Sequence, residues 1–197
     1  AALDTTTWVS IPAGSSSASV QAGPKLPGKR LLLQAAVIPS DPPDVLVTGG
    51  NDESGIAQDT AWVMSGFADF TGFEAPEQQG SLGRISMLKP RVFHTMVVLK
   101  GSLSVLIVGG LDGTGTPVAP EVFVSANLGT VGLFLNAADT IPHMARVGAA
   151  ATLLENGDVL IVGGEIGAPP VADKGLLFRP ERGQNFTSMS TTFSGDF

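Results

Sequence analysis

A phrase that closes an apolar run and ends in two glycines occurs three times in this chain: Val47-Thr48-Gly49-Gly50, Ile107-Val108-Gly109-Gly110 and Ile161-Val162-Gly163-Gly164. An arginine precedes each at a nearly constant interval, Arg30 before Gly49, Arg91 before Gly109 and Arg146 before Gly163, the interval shortening by one position from unit to unit. An aromatic follows each, Trp62 after Gly50, Phe123 after Gly110 and Phe178 after Gly164, at an interval that lengthens by one position each time. Self-similarity at a period like that of the arginines marks a repeat architecture, in which each unit is one supersecondary motif that cannot bury its apolar face alone.

Within a unit the pattern is that of short strands. Val92, His94, Met96 and Val98 alternate with Phe93, Thr95, Val97 and Leu99, and a period of two predicts a strand over 92–99. Val105 to Val108 is wholly apolar and stops at a glycine pair, as expected of a strand buried on both faces whose exit needs backbone angles closed to other residues. Glu121 to Val124 and Gly132 to Leu135 supply third and fourth strands. The third unit follows the same plan over 149–154, 159–162, 175–178 and 185–189, with Asn156-Gly157 as a strong hairpin signal. The first unit runs over 31–38, 45–47, 61–64 and approximately 69–73, its first turn stiffened by Pro39, Pro42 and Pro43. Thr5 to Ile11 reads as one more strand, followed by a Ser-rich stretch. The expected divisions are therefore an N-terminal strand and linker over 1–25 and repeat units over 26–86, 87–141 and 142–197.

Composition limits the partners. Eleven basic against 18 acidic residues give a net charge of -7, and no stretch gathers Lys and Arg into a stripe, so nucleic acid is not an expected partner. No apolar segment approaches the roughly 20 residues of a membrane-spanning helix, and none is expected to span a bilayer. Cysteine is absent, which removes disulfides and thiolate metal sites. A start at Ala1-Ala2-Leu3 and an acidic, Ser/Thr/Gly-rich composition fit a secreted or bacterial cell-envelope protein. Asn185-Phe186-Thr187 matches a glycosylation sequon, which matters only in a eukaryotic secretory pathway.

An arginine, a strand, a glycine pair closing the second strand, and aromatics on the third and fourth resemble a Kelch repeat, over roughly residues 26 to 190. Phe178-Arg179-Pro180 with Phe186, and Glu121-x-Phe123, are similar to the family's aromatic-x-Pro and acidic-x-aromatic elements; the glutamate is missing from units one and three, and tyrosine is absent throughout. The resemblance implies an all-β fold: three four-stranded antiparallel blades of a Kelch-type β-propeller. It is an incomplete ring, because closure takes about four to eight blades. The N-terminal strand then belongs to a further blade or to a neighbouring subunit, whose sheet edge it could extend by β-augmentation.

Candidate functional residues are few. Arg30, Arg91 and Arg146 recur just before each first strand. Either each bridges to a carbonyl or carboxylate of the adjacent blade, or together they ring a channel mouth and hold an anionic ligand. His94, on a first strand, is expected near the central axis in a structural hydrogen bond to a neighbouring blade, and His143 as an exposed spectator. Asn51, Asp52, Glu53, Asp112 and Glu165 follow the glycine pairs in long loops. They are hard oxygen ligands able to hold calcium, but their spacing matches no calcium loop, and solvated turn residues are the simpler reading. The lack of Cys and Tyr removes the copper-radical chemistry of Kelch-containing galactose oxidases, and no cofactor is expected.

The function expected is that of a non-enzymatic protein- or glycan-binding or structural module, self-associating through open blade edges and the N-terminal strand. It would be part of a larger propeller or an extracellular assembly such as a filament. The alternative is a carbohydrate-active propeller enzyme, a sugar isomerase, lyase or hydrolase, with His94 and a loop carboxylate as its only nominable acid–base pair.

Overall fold

The structure, a computed structural model, describes residues 1–66, 69–77, 85–126, 131–137, 145–165, 175–180 and 185–188. Among these the fold is all-β, in four small antiparallel sheets, none closed into a barrel. A hairpin of β1 (Thr7–Ser10) and β2 (Ser19–Ala22) comes first, then a sheet of β3 (Gln34–Ile38), β4 (Asp44–Thr48) and β5 (Ala61–Met64). The next sheet holds β6 (Thr95–Val98), β7 (Ser104–Val108), β8 (Glu121–Ser125) and β9 (Gly132–Asn136). The last holds β10 (Ala150–Leu153), β11 (Val159–Val162), β12 (Leu176–Arg179) and β13 (Asn185–Ser188). No helix among the described residues is long and apolar enough to cross a membrane.

In the three larger sheets strand order follows chain order, as short hairpin loops dictate. The sheets are blades laid face to face, and β6 has both other first strands, β3 and β10, as neighbours. Two apolar layers fill the gaps. Ile38, Leu46 and Val63 meet Val105, Ile107 and Phe123, while Leu106, Val108 and Val122 meet Val159, Ile161 and Phe178. Each fully buried Val, Ile or Leu contributes about 1.5–3 kcal/mol relative to exposure, so a sheet with a neighbour on both sides is the best-held part of the chain.

The glycine pairs end the second strands, as their spacing predicts, and their conformation explains the doublet. Gly49 and Gly50 have φ of +61° and +85°, Gly109 and Gly110 +65° and +103°, Gly163 and Gly164 +67° and +82°. Two successive left-handed residues cost little only for glycine. The bend aims the second N–H at the next blade: Gly50 N–H donates to Arg91 O (3.0 Å) and Gly110 N–H to Arg146 O (2.7 Å). A Cβ on Gly109 would collide with the Arg146 carbonyl oxygen, whereas one on Gly163 meets no described residue within 4 Å.

The structure departs from the sequence reading in three places. The first strands begin four residues after each arginine, at Gln34, Thr95 and Ala150. The residues between form a bridge to the far side of the glycine pair (Leu31 to Asn51, Val92 to Leu111, Val147 to Glu165). A left-handed residue follows each bridge: Leu32 (φ 62°), Phe93 (57°) and Gly148 (68°). The alternation that predicts a strand from residue 92 therefore breaks at Phe93. The first blade has no fourth strand among the described residues; Glu74 instead makes an isolated bridge to Val63 on β5, and the turn at Asp69 and Phe70 has positive φ. The N-terminal strand is not an orphan, because part of the Ser-rich linker folds back on it as β2, with Thr7 opposite Ala22 and Ser10 opposite Ser19.

Gly109→Ala is expected to cost about 3 kcal/mol or more, since it adds a backbone collision to left-handed strain, while Gly163→Ala should cost only the strain, about 1 kcal/mol. Urea denaturation of the two variants checks the difference; equal losses would mean that the doublet does not abut the next blade.

Candidate functional site

The repeated polar residues converge at the joints between blades. Arg91 and Arg146 are each 1% exposed. Their side chains turn back into their own blades: Arg91 Nη1 donates to Gly109 O (2.8 Å) and Arg146 Nη1 to Gly163 O (2.9 Å). Their backbone carbonyls reach the preceding blade, through Gly50 and Gly110. The bridging expected of the arginines is thus divided, with the main chain crossing the joint and the guanidinium staying at home. At this burial neither Arg91 nor Arg146 lines an open channel mouth, and the anion-ring alternative does not describe them. Arg30 is half-buried, donating to Lys29 O (2.8 Å) and Thr60 Oγ1 (3.0 Å).

One rung of the sheet differs from blade to blade, and in the first two blades its residue meets the arginine. In the middle blade Glu121, opposite Ile107, forms a buried ion pair with Arg91 and accepts from Leu88 N–H (2.8 Å). In the first blade the same rung, opposite Val47, holds Trp62, and Arg30 stacks over its ring at 4.7 Å. In the third blade Leu176, opposite Ile161, fills it. This corrects the alignment by spacing, in which Trp62 stands with Phe123 and Phe178. The residue that shares the rung of Phe123 and Phe178, opposite Val45, is Met64. Glu121 is visible in the sequence, but its role as the arginine's counter-charge is not, because neither other unit keeps an acid there.

Burial dominates the electrostatics. It lowers the Arg91 guanidinium from its ordinary value against the attraction of Glu121, and raises the Glu121 carboxyl against the pull of Arg91 and Leu88 N–H. His94, 3% exposed, crosses the first joint, its Nε2 lying 2.9 Å from Thr48 Oγ1. The Thr48 hydroxyl also lies 3.1 Å from Met96 Sδ, and His94 Nδ1 has no hydrogen-bond partner among the described residues. Desolvation, then the Arg91 charge, push His94 down to about 3. It is a neutral structural imidazole bonded to a neighbouring blade.

The loop acids hold their own loops. Asp52 Oδ1 accepts from the N–H of Ser54 (2.8 Å) and Ile56 (3.1 Å), and Oδ2 from Gln58 Nε2 (2.9 Å). Asp112 Oδ1 accepts from Thr114 N–H (2.8 Å), Thr114 Oγ1 (2.7 Å) and Thr116 N–H (2.9 Å). Those bonds, Thr114 Oγ1 first, hold its carboxyl below its ordinary value. Both loops turn on a left-handed glycine, Gly55 or Gly115. Glu53 pairs with Lys29 at 2.8 Å, and Asn51 and Glu165 serve in the backbone bridges to Leu31 and Val147. Glu165 is equivalent to Asn51 and Leu111; Ile166 stands in sequence where the first two loops have aspartate. Among the described residues no group of three or more His, Cys, Asp or Glu could hold a metal, and no hydrogen bond or ion pair among them joins His94 to a loop carboxylate. His143 lies outside the described residues.

The outward sides of the first and third blades mix apolar residues with charge, the third carrying the Asp158–Arg179 ion pair (3.5 Å). Thr48 on β4 and Val108 on β7, the residues before the glycine pairs, are 0% and 2% exposed, but their counterpart Val162 on β11 is 36% exposed. On the first blade, the hairpin and the sheet flank an open pocket of about 410 Å3 lined by residues including Trp8, Leu26, Arg30, Leu33, Val45 and Met64.

Two outcomes test this account. The folded state resists protonating His94, so its stability is fully present above the ordinary imidazole value of 6.5 and falls with pH towards about 3, by up to about 1.4 kcal/mol per pH unit. His94→Gln should flatten that slope in urea titrations, and an unchanged slope would refute a buried neutral imidazole. Glu121→Ala should cost about 3–5 kcal/mol by stranding a buried guanidinium, whereas Glu165→Ala, at an exposed residue, should stay within about 0.5 kcal/mol.

No protein-family model and no curated protein matches the chain. Among solved structures, one described as the structure of YjhT is similar over 98% of this chain, with a TM-score of 0.63 and 13% identity. The chain spans 61% of that structure's length. The likeness is one of fold, an array of small antiparallel sheets arranged as propeller blades.

Proposed function

We propose that the chain is a non-enzymatic interaction module, a run of Kelch-like propeller blades that works by assembly and by presenting loops to a protein or glycan partner in a secreted or envelope setting. The observation that carries this reading is exposed apolar residues on the outward sides of the first and third blades, Val37 and Val162, beside the Asp158–Arg179 ion pair on the third. Val162 is exposed where its counterparts Thr48 and Val108 are buried, and the strand positions Ala35, Val37 and Val45 of the first blade are uncharged. Exposed apolar surface that continues a buried pattern marks an association surface. The polar residues support the same reading: Arg91, Glu121 and His94 are consumed in joints, and Asp52 and Asp112 in loop turns. A rigid frame whose loops are individually locked is suited to recognition.

Incubation of the purified chain with a panel of mono- and oligosaccharides, followed by NMR, is expected to show no anomerisation, cleavage or elimination above the uncatalysed rate. Turnover that His94→Ala abolishes would overturn the reading in favour of a carbohydrate-active enzyme.

A further inference from the structure

The first hairpin of the third blade turns on Asn156-Gly157, and of the chain's asparagines, Asn51, Asn127, Asn136, Asn156 and Asn185, this one alone precedes a glycine. Asn156 is exposed, and its side chain lies over its own turn. Oδ1 accepts from Asp158 N–H (3.1 Å), and Nδ2 donates to Asp158 Oδ2 (3.0 Å). Gly157, left-handed at a φ of +90°, has no Cβ to shield its backbone nitrogen. Its N–H donates to Leu154 O (2.9 Å), and Leu154 N–H donates to Asp158 O (2.7 Å). The corresponding turns of the other blades are built differently, through Ser40-Asp41-Pro42-Pro43 in the first and Lys100-Gly101-Ser102-Leu103 in the middle one. The Asn156 turn also touches the middle blade, because Lys100 Nζ donates to Glu155 O.

We propose that Asn156 is a site of spontaneous covalent modification, at which water hydrolyses the side-chain amide through a cyclic imide formed with Gly157, and that the product loosens this hairpin. The Gly157 nitrogen gives its proton to solvent and bonds to Asn156 Cγ; the Cγ–Nδ2 bond then breaks, and Nδ2 takes a proton from solvent and leaves as ammonia. Water next opens one of the two imide carbonyls. Opening at Cγ leaves an aspartate, whereas opening at the Asn156 main-chain carbonyl leaves an isoaspartate whose backbone runs through the former side chain. The sum is one water consumed and one ammonia released. Two contacts act on the rate in opposite senses. Asp158 N–H sits on the oxygen that gathers negative charge during the attack, and a donor there favours it. The Gly157–Leu154 bond must break first, so the reaction runs from an opened turn, and exposed turns open locally while the rest of a fold stays intact. The product replaces an amide that donates to the Asp158 carboxylate with a second carboxylate, turning a bond into repulsion that Arg179, 3.5 Å from Asp158 Oδ2, opposes. An isoaspartate also lengthens the main chain between Leu153 and its partner Val159 and shifts the Glu155 carbonyl that Lys100 holds.

Incubation of the full chain at mildly basic pH over weeks tests this, read by mass spectrometry of its peptides with isoaspartate and aspartate forms separated by retention. Asn156 is expected to exchange NH2 for OH at least about tenfold faster than Asn51 or Asn136, the effect of a barrier lower by about 1.4 kcal/mol. In urea, where the bond to Leu154 is gone, the exchange should run faster still. Asn156→Asp supplies one product directly; it should lower the urea midpoint of unfolding, and less so at high salt, which screens exposed charges. An Asn156 that stays intact in the folded chain, an Asn51 or Asn136 that converts as fast, or exchange that slows in urea would each overturn the proposal. So would an Asn156→Asp variant as stable as the wild type at low salt.

Discussion

The array depends on a backbone hydrogen bond between units that are far apart in sequence. A glycine N–H, presented by two left-handed residues, meets the carbonyl of an arginine in the next blade. The same arginine sends its guanidinium to the carbonyl of its own blade's first glycine, Gly109 or Gly163. One residue is therefore fixed at both ends, its main chain to the blade before and its side chain within its own. Apolar burial between faces supplies most of the stabilisation, but it is non-directional. The joint sets where along the face each blade sits, and a slip of one residue along a strand would exchange its buried and exposed sides.

The three arginines show how a repeat keeps a geometry while changing the chemistry that supports it. A guanidinium beside the doublet needs its charge or its flat faces accommodated. Glu121 does so by an ion pair and Trp62 by a cation–π contact, while the same rung of the third blade holds Leu176. The ion pair costs the most in desolvation, since burial works against ionisation of both partners, and a pair of this kind adds little net stability while being costly to break. It occurs in the middle blade, which has a neighbour on each side. Arg30, at the edge and half-buried, makes do with an aromatic face and a threonine hydroxyl.

Much of this is legible in the sequence because its strongest signals are short-range. Glycine pairs after apolar runs and the Asn156-Gly157 turn locate β4, β7 and β11 to within a residue. The all-β blade plan and the structural role of His94 can be read from them. Elements that depend on distant contacts cannot. The lead-in after each arginine looks like strand because Leu32 and Phe93 are apolar residues that suit one, and only Gly148 in the third repeat hints at the left-handed turn they share. Spacing aligns Trp62 with the wrong rung because loop length varies between repeats and aromaticity is a weaker register signal than pairing. The strand Ser19–Ala22 is hidden in a Ser-rich stretch that reads as linker.

That hairpin also shows where the array is weakest. A two-stranded sheet is marginal alone, and this one buries none of its strand residues. Its hold on the body comes through Trp8 against Phe70, the Leu3–Arg30 bridge and, at its base, Leu26 N–H to Asp4 O (2.8 Å). Leu26 itself is buried with Val47 and Trp62, so the segment is anchored at its base and loose at its tip. Opening free energy follows buried contact, and the segment that precedes Leu26 therefore opens well before the joints do.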